Sequence, residues 1–125
     1  NGLNDSTHVT TPYDMALIAR AAYANPVVAQ VSSALSYEIP ATQKAGARQV
    51  TMGHKMLYPT DSRYYQGIVG GKTGYTSKAG NTLVTCVERD GLRLIAVVMK
   101  ASGTHYTDTK AMLDYGFALA QNGEI

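Results

Sequence analysis

The chain has 125 residues, 45% of them apolar or aromatic and only 16% charged, with 12 Gly and 4 Pro; this balance excludes a disordered, collagen-like or coiled-coil chain and predicts a buried core. Its net charge of +2 comes from 11 basic and 9 acidic residues scattered along the sequence, without the clustered basic stripe that nucleic acid or an anionic membrane requires. The single cysteine, Cys86, excludes an internal disulfide and a cysteine-rich zinc site, and no apolar run approaches the ~20 residues of a bilayer-spanning helix, so a soluble chain is expected. Its first residues, Asn1-Gly2-Leu3-Asn4-Asp5, read as the middle of a loop and point to a piece of a longer protein.

Thr11-Pro12 predicts a helix start, because Thr is a favoured N-cap, Pro is favoured at the first helical position, and Asp14 places negative charge in the first turn. Tyr13, Ala16, Leu17, Ala21 and Ala24 then recur at helical spacing. Asn25-Pro26 ends this helix and opens a second, short one through Val27, Val28 and Val31. Ser36 to Pro40 has the character of a short edge strand, and Ala41 to Thr60, polar and without a sustained period, reads as an ordered loop region. Strands are expected at about 68–76, 82–89 and 92–99, the last two joined by Asp90-Gly91, a strong hairpin signal. Both faces of the final strand carry apolar side chains, so it needs cover on both sides. The closing helix, Tyr106 to Gln121, aligns Met112, Leu113, Gly116, Phe117 and Ala120 on one stripe. The expected fold is α+β: an antiparallel sheet of at least three strands, the last helix on one face and the early helices on the other. Residues 1–65 then form a helix and loop region, and 66–125 the strands and final helix, of one partial domain.

The sharpest local feature is Gly70-Gly71-Lys72-Thr73-Gly74-Tyr75-Thr76. A phosphate-binding P-loop needs four residues between its first Gly and Gly-Lys-Thr, whereas Gly67 stands three residues before Gly71 and the next signals are those of a hairpin, without the helix that would face the phosphates. Lys-Thr-Gly is also a signature of penicillin-recognising serine enzymes. Together with Asn1-Gly2-Leu3, the His8-Val9-Thr10-Thr11-Pro12-Tyr13-Asp14-Met15-Ala16 block, the Arg89 to Val98 hairpin and the Ala111 to Phe117 helix, it resembles the D-alanyl-D-alanine carboxypeptidases, low-molecular-weight penicillin-binding proteins of the bacterial cell wall. The resemblance runs over nearly the whole chain.

That resemblance implies a β-lactamase/transpeptidase-like fold, an extracytoplasmic place in a bacterial cell envelope, a peptidoglycan pentapeptide ending in D-Ala-D-Ala as substrate, β-lactams as ligands, and no metal or other cofactor. It assigns Lys72 a catalytic anchoring and polarising role. Thr73, Gly74 and Tyr75 become substrate-binding residues, with the Tyr75 N–H as one oxyanion donor. His105 stands where relatives often carry an Arg that holds the substrate carboxylate, and a neutral imidazole is the poorer anchor of the two. The family's nucleophile lies in Ser-x-x-Lys, and none of the serines here has Lys three residues on. Thr107-x-x-Lys110 has the spacing but reads as a surface pair, and Tyr23-Ala24-Asn25 imitates the second family motif while its Asn serves as a helix cap. The chain therefore reads as the carboxy-terminal half of a catalytic domain, inactive alone, expecting a missing amino-terminal half as partner or, through an open sheet edge, another copy of itself. The alternative is a non-catalytic module that binds peptide carboxylates.

The remaining chemistry-bearing residues have plainer readings. His8 suits a loop hydrogen bond, His54 an exposed position, and positions 8, 54 and 105 have no metal-ligand spacing. Tyr64 and Tyr65 suit partly buried rings, and Cys86, set between strand valines, suits an inert buried thiol.

Overall fold

The computed structural model describes residues 2–125; the loop-like reading at Asn1 lies outside them. Helix α1 (Pro12–Ala24) starts where Thr11 Oγ1 accepts the Asp14 N–H at 3.1 Å. Asn25 ends it and caps α2 (Pro26–Ser33), its side chain accepting the N–H groups of Val27 and Val28. The chain then forms β1 (Ser36–Ile39), β2 (Arg48–Thr51), a 3-10 turn (Lys55–Leu57), β3 (Ile68–Thr76), β4 (Gly80–Arg89), β5 (Leu92–Ala101) and α3 (His105–Gln121).

The main sheet is antiparallel with order β3-β4-β5, and β1 pairs separately with β2. Asp90 and Gly91 both have positive φ, 52° and 79°, which matches the right-handed twist of the β4–β5 hairpin. Because side chains alternate along β4, Leu83 and Val87 join Ala96, Val98, Met56, Tyr65 and Leu113 of α3 in one core, while Cys86 and Val84 join Ala19, Tyr23 and Ile95 in a second core under α1. The sheet is thus covered on both faces, as its two-sided apolar pattern requires. Cys86 is fully buried and unpaired, and burial pushes its thiol up from the usual range.

The region 41–60 departs from the expected loop: it contains β2 and the 3-10 turn. All four residues of β2 are exposed, so the strand carries no alternating apolar pattern, and its pairing with β1 is what defines it. The turn that follows buries Met56 and Leu57.

Candidate functional site

Strand β3 carries the Lys-Thr-Gly sequence at one border of the main sheet. β4 hydrogen-bonds one side of it, with Lys72 opposite Val84, Thr73 opposite Leu83 and Gly74 opposite Thr82. Among the described residues no strand pairs with its other side, which leaves a row of backbone N–H and C=O groups facing outward. The register sends Lys72 to the α1–α2 face, with Val84, and Thr73 to the α3 face, with Leu83. Lys72 is exposed, and its ammonium donates to the Thr73 carbonyl. Tyr75 is 69% exposed.

The glycines around these residues are required by close approach rather than by turn geometry. A Cβ at Gly70 would lie 2.5 Å from the Tyr23 ring, one at Gly71 2.5 Å from His54 Cδ2 and 2.7 Å from the Val84 carbonyl, and one at Gly74 2.5 Å from Thr82 Oγ1. At Gly70 and Gly71 ring and backbone atoms leave no room for a side chain, while at Gly74 the obstacle is the Thr82 hydroxyl alone, so β3 is pressed into the body of the protein from both faces just before Lys72.

His54 is fully buried, contrary to the exposed position expected for it. Its neighbours Met56 and Leu57 draw the turn into the core, and the missing Cβ of Gly71 makes room for the ring. The Nε2 atom lies 2.7 Å from Thr85 Oγ1 on β4. Desolvation first, then the nearby His105, push its pKa down from the ordinary 6.5 to about 4, so it is neutral at pH 7. Sequence reasoning missed this residue because its burial depends on β3 and β4, far along the chain; the adjacent apolar pair Met56-Leu57 was the one local signal.

His105 opens α3 and is half-buried, its ring 4.4 Å from that of Tyr106. The Tyr106 hydroxyl donates to the Gly53 carbonyl at 3.3 Å and accepts the Lys55 N–H at 3.1 Å. A Cβ at Gly53 would in turn lie 3.3 Å from Thr73 Oγ1. Thr73 and the first turn of α3 are therefore joined through one residue, whereas Lys72 stands on the opposite face. The Arg63 guanidinium sits 5.0 Å above the Tyr106 ring and is held by Asp61 through two hydrogen bonds of 2.8 Å. That pairing holds the partly buried Asp61 carboxyl down at about 2.

Other sequence candidates lie apart from this region. Lys110 forms an exposed ion pair with Asp114 at 2.5 Å and Thr107 Oγ1 donates to the Thr104 carbonyl, so the two do not form a nucleophile and base. Tyr65 is a core residue whose hydroxyl donates to Asp114, and burial pushes its pKa up to about 12; Tyr64 is exposed. His8 lies in the exposed opening loop, its backbone N–H bonding the Asp5 carbonyl. That loop is tied to the end of β3, where Thr76 Oγ1 donates to Asn4 Oδ1 at 2.8 Å. No helix among the described residues is long and apolar enough to cross a membrane.

The model of the D-alanyl-D-alanine carboxypeptidase family matches residues 1–103. The chain is 37% identical over 139 residues to the D-alanyl-D-alanine carboxypeptidase DacB2 of Mycobacterium tuberculosis, covering 96% of this chain and 45% of that protein. It is 30% identical to DacF of Bacillus subtilis, covering 94% and 29%. Among solved structures, a D-alanyl-D-alanine carboxypeptidase from Mycobacterium tuberculosis superposes with a TM-score of 0.78 at 34% identity, covering 94% of this chain and 45% of that one. The Streptomyces K15 DD-transpeptidase gives 0.80 at 26% identity, covering 95% and 46%. The α+β arrangement is thus that of the transpeptidase-like fold, and the chain spans less than half the length of these relatives.

Proposed function

Because the chain belongs to the D-alanyl-D-alanine carboxypeptidase family, we propose that it supplies the substrate-anchoring half of a serine-type enzyme that removes the terminal D-Ala from peptidoglycan stem peptides. The observation that carries this reading is the Lys72-Thr73-Gly74 strand at an open sheet border. An extended peptide pairs with such an edge through its backbone, and Gly74 leaves the approach clear. Lys72 and Thr73, on opposite faces of β3, reach a peptide at the open border from either side: the Lys72 ammonium neutralises the terminal carboxylate, the Thr73 hydroxyl donates a directional hydrogen bond, and the Tyr75 N–H stabilises the oxyanion that forms. His105, joined to Thr73 through Gly53 and Tyr106, contributes a polar edge on the α3 side. A serine on the remaining half of the domain attacks the penultimate D-Ala carbonyl, the acyl-enzyme forms as D-Ala leaves, and water releases the shortened peptide. Penicillins meet the same serine. Membership of a bacterial cell-wall family supports a place of work outside the cytoplasm, on the cell envelope.

This chain alone lacks Ser-x-x-Lys and is expected to give no covalently labelled band with a fluorescent penicillin after denaturing electrophoresis; a band at 13.4 kDa would overturn that. Titration with an acylated tripeptide ending in D-Ala-D-Ala is expected to give weak binding at best. Tight saturable binding lost in Lys72→Ala would instead identify a self-sufficient carboxylate-binding module.

The border strand β5 likewise has no second neighbour among the described residues, and α1 and α2 present Ile18, Val27 and Val31 outward at 57%, 64% and 69% exposure. Both features support a further half of the domain as partner, or another copy of this chain in its absence. Sedimentation at micromolar concentration is expected to show self-association that ends when the complementary half is added; a stable monomer alone would refute it.

A further inference from the structure

We infer that His54 is a positioning residue for the Lys72–Thr73 strand, acting as a flat shim between β3 and the first turn of α3. The inference rests on the reading of Lys72 and Thr73 as the carboxylate anchor and names what fixes that anchor in place. Three contacts converge on the Gly53-His54-Lys55 segment. The imidazole edge lies directly beneath β3, one residue before Lys72, where any Cβ on Gly71 would collide with Cδ2 at 2.5 Å and Nε2 at 2.9 Å. The same ring is bonded to Thr85 Oγ1 on β4 at 2.7 Å, which fixes its plane. On the far side it meets Tyr106 edge to face, with centroids 5.8 Å apart, and Tyr106 grips Gly53 and Lys55 on either side of His54.

The segment therefore sets the distance between β3 and α3, and with it the separation of Thr73 from His105. A planar ring suits the gap because a branched side chain would press on the β3 backbone at Gly71. The Nδ1 atom has no hydrogen-bond partner among the described residues. A bare acceptor is cheaper to leave unpaired than an N–H, so the proton belongs on Nε2 and is donated to Thr85. The titratable and charged groups around the ring are His105 and Tyr106 on α3, Arg63 stacked on Tyr106, and Lys55 next in the chain; Gly71 on β3 and Thr85 on β4 bring none. Protonation of Nδ1 would add a buried cation beside His105 with no anion to receive it.

The test uses this chain by NMR, with His54→Leu and His54→Gln. Long-range nitrogen–proton spectra are expected to show the neutral Nε2–H tautomer at pH 7. His54→Leu is expected to speed exchange of the β4-facing amides between Gly71 and Thr73 by about tenfold while exchange in the β4–β5 hairpin stays unchanged, since amide exchange reports local opening of each segment separately. His54→Gln, whose amide can reach Thr85, is expected to recover most of the protection. Equal exchange in wild type and His54→Leu, or the opposite tautomer, overturns the proposal. Should His54→Leu fail to fold, wild-type exchange measured from pH 7 to 4 decides: protection at 71–73 must fall before that of the hairpin as the His54 imidazole titrates, and simultaneous loss overturns the proposal. None of these readouts needs ligand. Absence of D-Ala-D-Ala binding to the full serine-bearing enzyme would refute the anchoring reading while leaving the positioning result standing.

Discussion

On the proposed reading, replacing Lys72 by Ala in a longer, serine-bearing protein that contains this chain is expected to lower the rate of acylation by D-Ala-D-Ala peptides by about 10²–10³-fold, the cost of one strong electrostatic donor. The recognised end of the proposed substrate carries one negative charge, on the terminal carboxylate, and the scissile carbonyl lies one residue away from it. A point charge held at an edge strand fixes that end of the peptide, and binding energy from a group remote from the reacting carbonyl is expressed as orientation at the carbonyl. The loss should therefore fall on kcat as well as on KM. A purely Coulombic anchor would raise KM alone, which is the split that steady-state kinetics reads. Lys72→Arg is not a neutral control, because a planar guanidinium cannot turn back to the Thr73 carbonyl and face the substrate as the compact ammonium does. It should recover only part of the loss. Full activity in Lys72→Ala would remove Lys72 from the site and with it the proposed chemistry.

The parts of this fold that were legible in the sequence are those decided within a few residues. Thr11-Pro12 and Asn25-Pro26 announce both early helices because the cap side chain and the proline act on the adjacent turn. Asp90-Gly91 announces the hairpin because the turn demands positive φ at both positions. The final helix followed from its apolar stripe, and the strand bearing Lys72 from Ile68-Val69 leading into the Lys-Thr-Gly stretch. What was not legible depends on partners far along the chain. β2 exposes every side chain and exists because β1 pairs with it. His54 resembles a surface residue beside Gly53 and Lys55, and besides the buried Met56-Leu57 pair it takes the distant glycine at 71 and threonine at 85 to make room for it in the core. The pair Gly70-Gly71 belongs to the same class: each glycine answers a different face, Tyr23 on one and His54 on the other, and the local spacing that excludes a phosphate loop shows neither contact.

The stability of the chain is expected to fall by about 3 kcal/mol as pH drops from about 6.5 to about 4, with His54 as the cause. In the unfolded chain this imidazole takes up a proton near its ordinary 6.5; in the fold, burial holds it neutral down to about 4. Between those values the unfolded state binds more protons, so stability rises with pH: the contribution is complete above about 6.5, declines through the interval and is gone below about 4. A difference of about 2.5 units at ~1.4 kcal/mol each gives the magnitude. The depressed carboxyls of Asp61 and Asp114 act in a lower window, losing their contribution as pH falls below their ordinary 3.8, so they do not account for a slope above pH 4. Urea unfolding followed across this range should show a falling midpoint at constant m-value, and the slope should flatten in His54→Gln, which has no proton to gain. A wild-type profile that is flat between pH 6.5 and 4, or a slope that survives in His54→Gln, would mean that the imidazole is solvated and that Gly71 has some other reason to lack a side chain.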